Sequence, residues 1–142
     1  MRTEHPNILC IMADQLTAPA LPFYGHPIVK TPHLSALAAV GVIFENAYCN
    51  SPLCAPSRFS MLTGKLPSRI GAYDNAAYFP ADLPTVAHYL RDLGYHTCLA
   101  GKMHFVGPDQ LHGFEERLTT DVYPSDCGWT PDWGTFAEWP TW

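Results

Sequence analysis

The sequence predicts an α/β fold, a mostly parallel sheet flanked by helices, and three observations carry that expectation. Short apolar runs alternate with helix-patterned segments, as a chain passing between a sheet and its cover must do. The first apolar run is continuous rather than alternating, which suits a strand buried on both faces. Proline and glycine punctuate the helical segments at their starts and ends.

Asn7-Ile8-Leu9-Cys10-Ile11-Met12-Ala13 is the first candidate strand, and Asp14 ends it. A loop containing Pro19, Pro22, Gly25 and Pro27 follows. Thr31 and Pro32 then read as an N-cap and first helical residue, with Leu34, Leu37 and Ala38 on one stripe and Gly41 as the stop. Val42-Ile43-Phe44 begins a second strand. A further helix has Pro84 near its start, Val86, Leu90 and Leu93 on one face, and Gly94 at its end. Tyr95 to Ala100 is the third candidate strand, closed by Gly101. Three parallel strands with two or three helices make a poor closed core, because parallel strands need cover on both faces. Residues 1–142 therefore read as truncated, a part of a larger domain.

Composition narrows the function classes. With 47% hydrophobic and 15% charged residues, disorder by composition is excluded. A formal charge of -5 and the lack of any Lys/Arg run argue against nucleic acid as a partner. The run from Asn7 to Ala13 is too short for a membrane span and lacks a signal-peptide layout, so no membrane partner and a cytoplasmic location are expected. The 5 cysteines are odd in number and contain no C-x-x-C pair, which disfavours a disulfide framework. Cys10 and Cys98 sit in apolar runs and read as small core residues, whereas Cys49, Cys54 and Cys127 lie in less regular surroundings.

Open α/β sheets bind ligands outside the carboxyl ends of their strands. Asp14 directly follows the first candidate strand, and Lys102 and His104 follow the third. Between them lies Leu53-Cys54-Ala55-Pro56-Ser57-Arg58-Phe59-Ser60-Met61-Leu62-Thr63-Gly64. Pro56 suits the first turn of a helix that Gly64 stops, placing Cys54 just before its N-terminus. Exposed N–H groups and the positive dipole end favour an anion there, and Arg58 adds a fixed cation. A nucleophile beside such a helix end is what displacement on a sulfate or phosphate ester requires. On these residues alone, Cys54 as a thiolate with His104 as its base is a second chemistry. Taken singly, Asp14 is as well explained as a turn cap, Lys102 as a surface charge and His104 as a core imidazole. His5, His26, His33, His88, His96 and His112 read as structural, and Ser57 and Thr63 as servants of the local fold.

Cys54-x-Pro56-Ser57-Arg58 followed by Thr63-Gly64 resembles the signature of the formylglycine-dependent sulfatases. The resemblance implies an alkaline-phosphatase-like fold and oxidation of Cys54 to formylglycine, an aldehyde, by formylglycine-generating machinery. It further implies that the hydrated group attacks sulfur and releases the alcohol, after which its second hydroxyl expels sulfate. By the same resemblance Arg58 anchors the formylglycine hydroxyl, and Lys102 and His104 hold the sulfate oxygens. Asp14 and residue 54 as formylglycine are implied ligands of a divalent metal. Gln15 stands where many sulfatases carry a second acid, and can add only a neutral amide oxygen. Oxygen donors favour calcium, with magnesium or manganese as alternatives.

Ser51 to Pro56, Tyr73 to Ala77, Gly101 to Arg117 and Thr130 to Trp133 resemble the choline sulfatases, a branch of that family. The implied substrate is a small sulfate ester, choline-O-sulfate, and the implied state of the full-length protein is a homo-oligomer. Aromatic faces and carboxylates bind a quaternary ammonium group. In the tryptophan-bearing tail with Asp132 and Glu138, Trp129 is the candidate substrate-binding residue. An aryl sulfatase or a phosphonate monoester hydrolase is the alternative within the superfamily. By the same resemblance residues 1–142 are the amino-terminal part of a sulfatase catalytic domain whose remainder is absent. Since they lack half of the implied metal ligands, a catalytically incompetent fragment is the other alternative.

Overall fold

The computed structural model describes residues 5–119 and 121, which divide between Tyr48 and Cys49 into two compact units. Among the described residues, no helix is long and apolar enough to cross a membrane.

In the first unit, two short 3-10 turns, Ala18–Ala20 and Pro22–Tyr24, each begin with a proline whose fixed φ suits a first turn. The Tyr24 hydroxyl donates to the Phe44 carbonyl at 2.8 Å and ties the loop to the end of the unit. Helix α1 (Pro32–Val40) starts as the sequence predicts, with Thr31 at the N-cap and Pro32 as first residue. Gly41 ends it in an extended conformation. Residues 7–13 and 42–44, expected as strands, form no ladder, and Ile8, Leu9 and Ile11 are exposed. The physical reason is that a parallel strand is completed by neighbours on its edges, and this unit contains no paired strand among its described residues.

The second unit holds helices α2 (Cys54–Thr63), α3 (Pro67–Ile70) and α4 (Val86–Asp92), with strands β1 (Cys98–Leu99) and β2 (Glu116–Arg117). Helix α2 begins one residue earlier than expected. Leu53 is its N-cap and Cys54 its first residue, so Pro56 falls third. Proline is tolerated there because the first N–H groups of a helix have no intrahelical acceptor. At the other end Gly64 takes a left-handed conformation, φ 67, and its N–H reaches the Ser60 carbonyl at 2.9 Å. The Thr63 hydroxyl donates to the Phe59 carbonyl at 2.7 Å, the local role expected of it.

Helix α4 starts from Thr85, with Pro84 outside it rather than within. The Thr85 N–H donates to Nδ1 of His88 at 3.1 Å, so the helix entry explains His88. Strand β1 is shorter than the expected 95–100 and pairs in parallel with β2, Cys98 opposite Glu116 and Leu99 opposite Arg117. Alternation along β1 turns Leu99 inward and Cys98 outward. Cys98 and Cys10 are both exposed, contrary to the core role expected of them, and none of the four described cysteines forms a disulfide.

The core of this unit is aromatic. Phe59 of α2 stacks on Phe79 at 4.1 Å between centroids, and Phe79 stacks on His112 at 4.0 Å. Phe105 closes the group, 4.6 Å from His112 and 5.7 Å from Phe79. Ala55, Phe59 and Leu62 are the buried stripe of α2, spaced as one face of a helix. The same packing seats the start of α2 against the segment after β1.

Candidate active site

Cys54 is half-buried at the first position of α2, where backbone N–H groups lack helical acceptors. One of these, the Ala55 N–H, is taken by Oδ1 of Asn75 at 3.1 Å. Lys102, which follows β1, brings its ammonium to 3.5 Å from the Cys54 sulfur. Arg58 lies one turn into α2 with its guanidinium buried, and its Nη1 donates to the Lys102 carbonyl at 2.6 Å. Three of the four expected catalytic residues are therefore joined by named contacts, across 44 to 48 residues of chain.

His104 is the fourth, and only 5% of it is exposed. Its backbone is left-handed at φ 61, an uncommon conformation for a residue with a side chain. Burial pushes its pKa below the ordinary value of 6.5, and Lys102 and Arg58 push the same way; the Asn75 backbone and Asp121 oppose them. Near neutral pH the ring is uncharged, so the fixed positive charge of the site comes from Lys102 and Arg58.

Two contributors escaped the sequence reading. Asn75 lies within the Tyr73–Ala77 segment noted there, but its cap on the α2 start is a tertiary contact. Asp121 accepts N–H bonds from Met103 at 2.5 Å and Phe105 at 3.1 Å, and pairs with Arg117 at 2.8 Å. Burial raises its pKa, but the Met103 N–H, Arg117 and the His104 and Phe105 amides outweigh burial and hold the carboxyl below its ordinary range.

Asp14 and Gln15 sit on a turn of the first unit, with Gln15 left-handed at φ 56. Their oxygens are right for a hard cation, but one carboxylate and one amide fall short of the roughly 6 to 8 oxygen ligands that calcium takes. Among the described residues, no three His, Cys, Asp or Glu side chains gather as a metal centre. Trp129, the other tryptophans and Cys127 lie outside the described residues.

The buried imidazoles predict acid sensitivity. Burial lowers the pKa of His112, as it does that of His104, with Asp109 opposing. Below about pH 6.5 the unfolded chain binds protons that the folded chain refuses, so stability falls as pH falls. Asp109 and Asp121, held below 3.8, act in the same direction at lower pH. Denaturation midpoints measured between pH 8 and 5 should drop on acidification and flatten in part with His112→Gln. A midpoint that rises toward pH 5 contradicts this.

The sulfatase family model matches residues 6–133. The choline-sulfatase of Rhizobium meliloti (strain 1021) is 58% identical over 133 residues, covering 94% of this chain and 26% of the relative. Arylsulfatase A of Bos taurus is 43% identical over 125 residues, covering 80% of this chain and 25% of the relative. A solved structure of a protein in complex with its substrate D-glucosamine-2-N,6-O-disulfate superposes with a TM-score of 0.74 at 37% identity. That superposition covers 79% of this chain and 22% of the other. The chain thus spans about a quarter of the length of the curated relatives it matches. The alkaline-phosphatase-like α/β fold expected from the sequence is the fold of these structural neighbours.

Proposed function

This chain belongs to the sulfatase family, and from that membership we propose that its complete gene product hydrolyses sulfate esters with a nucleophile made from Cys54. The observation that carries the proposal is the meeting of the Cys54 sulfur and the Lys102 ammonium, 3.5 Å apart at a helix start. Oxidation of Cys54 to formylglycine, followed by addition of water to that aldehyde, would supply a hydroxyl nucleophile in place of the thiol.

The other side chains have separable tasks. Lys102 is a compact point charge beside the reacting position, suited to the oxygens of a sulfate group. Arg58 holds the Lys102 backbone by its Nη1 bond and adds fixed positive charge within a buried setting. His104, kept neutral by burial, offers a ring that donates or takes a proton rather than a standing charge. Asp14 and Gln15 are this chain's oxygen donors for a divalent ion, calcium first, with further ligands needed from elsewhere.

Choline-O-sulfate is the proposed substrate, supported by 58% identity to a protein named choline-sulfatase over 94% of this chain. The second reading is an aryl ester, favoured by 43% identity to an arylsulfatase A. Sulfate release from choline sulfate and an aryl sulfate, with a phosphonate monoester as third substrate, separates them. Choline sulfate should lead in kcat/KM by about 30-fold or more, the ratio that ~2 kcal/mol of desolvated cation–aromatic recognition supplies. A lead for the aryl or phosphonate ester overturns the choline proposal.

A further inference from the structure

We propose that Asp121 is a positioning residue for Lys102 and His104, a role that rests on the hydrolase function proposed above. The segment that carries both residues is irregular, and its central residue is under conformational strain. His104 at φ 61 occupies the left-handed region, which costs a side-chain-bearing residue on the order of 1 to 2 kcal/mol. A left-handed residue in such a segment also turns successive N–H groups toward one side, forming a concavity that favours an anion. Here the anion is built in.

Asp121 places Oδ1 on the Met103 N–H at 2.5 Å and Oδ2 on the Phe105 N–H at 3.1 Å, so it grips the backbone on both sides of His104. Its side chain is 2% exposed, too deep to meet a substrate, so it acts through what it holds. Arg117 fixes the carboxylate by a 2.8 Å ion pair and is itself 8% exposed. Arg117 also donates from Nη1 to the Gln110 carbonyl and Oε1 at 2.9 and 2.8 Å, and from Nε to the Thr119 carbonyl at 3.1 Å. Gln110 turns its amide back to the Phe105 and Gly107 carbonyls, at 3.0 and 2.7 Å. The Thr119 hydroxyl receives the Gly101 N–H at 2.5 Å. One connected network thus holds the segment from Gly101 to Gly107 at its start, middle and end. Buried ion pairs add little net stability, but removing one partner leaves an uncompensated charge, so this network defines one conformation of the segment.

The test is a double-mutant cycle in the complete gene product. Asp121→Asn keeps the shape but presents an NH2 group where an acceptor is needed. It should lower kcat by about 10- to 100-fold, the scale of an ångström-level displacement of catalytic groups. Peptide mass should show residue 54 in the same chemical state as in the parent. Because Asp121 acts through Lys102 and His104, the same substitution in a Lys102→Ala, His104→Ala background should change the remaining rate by under about 3-fold. A merely structural role would instead lower the rate equally in both backgrounds, and that result overturns the proposal. So does a kcat for Asp121→Asn within 10-fold of the parent. Should Asp121→Asn not fold, Arg117→Lys replaces it, with a kcat loss of about 3-fold or more expected and a smaller loss overturning the role. An inactive parent overturns the hydrolase reading and takes this role with it. An active parent matched by Asp121→Asn overturns the role alone.

Discussion

Cys54→Ala is expected to abolish sulfate release by the complete gene product, lowering kcat on the order of 10^5-fold or more, as loss of a nucleophile does. The substitution is mild for the fold. Cys54 is the first residue of α2 and only half-buried, and alanine is the best helix former. The denaturation midpoint should therefore move by no more than ~0.5 kcal/mol equivalent, which separates lost chemistry from lost structure. Lys102 keeps its carbonyl bond from Arg58 in the variant and loses only its sulfur contact. Retention of more than a tenth of the parent rate would place the nucleophile elsewhere. The mass of the peptide spanning residue 54 decides which nucleophile is lost. Absence of sulfur supports the formylglycine reading. Retained sulfur, with inactivation by an alkylating agent, moves the chemistry to a Cys54 thiolate.

How far this site could be read in the sequence depends on how local its determinants are. The segment Cys54–Gly64 was legible because its limits are set within it. Gly64 supplies the left-handed cap and Pro56 is tolerated only near a start. The one-residue error at its N-terminus follows from the same fact, since a proline fits any position of the first turn. Residues 7–13 and 42–44 were misread as strands for the opposite reason. An apolar run shows what a segment is able to do, whereas a ladder needs a partner, and only β1 and β2 pair among the described residues.

The support beneath the site was the least legible part. Asp121 meets the backbone 16 and 18 residues earlier, and as Thr-Thr-Asp it carries no signal beyond a turn. The left-handed turn at His104 is equally silent, because the glycine that usually marks such a conformation is absent there. Asp14 differs from these, because its proposed role depends on residues elsewhere in the fold. A metal centre is a sum of distant donors, and this chain's described residues bring together too few of them. His112 went the other way. The structural role read for it holds, as it is fully buried in the aromatic stack.

That stack makes Phe79→Ala the substitution with the largest expected effect on stability, a loss of about 3 to 5 kcal/mol. Phe79 is 1% exposed and lies between two flat partners, the Phe59 ring on one face and the His112 ring on the other. Its own N–H reaches the Val106 carbonyl at 3.0 Å, so its backbone is held to the same segment that its ring packs against. The stack meets three parts of the unit: α2 through Phe59, the segment after β1 through Phe105, and the turn at His112 that accepts the Thr85 hydroxyl at 2.6 Å. Alanine removes the wedge common to all three, and neighbours fixed by separate hydrogen bonds cannot collapse far into the space. Urea denaturation should show the midpoint falling with an unchanged slope, while Tyr73→Ala, at an exposed ring, should stay within ~0.5 kcal/mol of the parent. Phe59 lies five residues after Cys54 and Phe105 directly follows His104, so activity should fall together with stability. A loss under 1 kcal/mol would mean that the ring stack does not hold these segments together, and that the hydrogen bonds around Asp121 and Arg58 suffice to place the site.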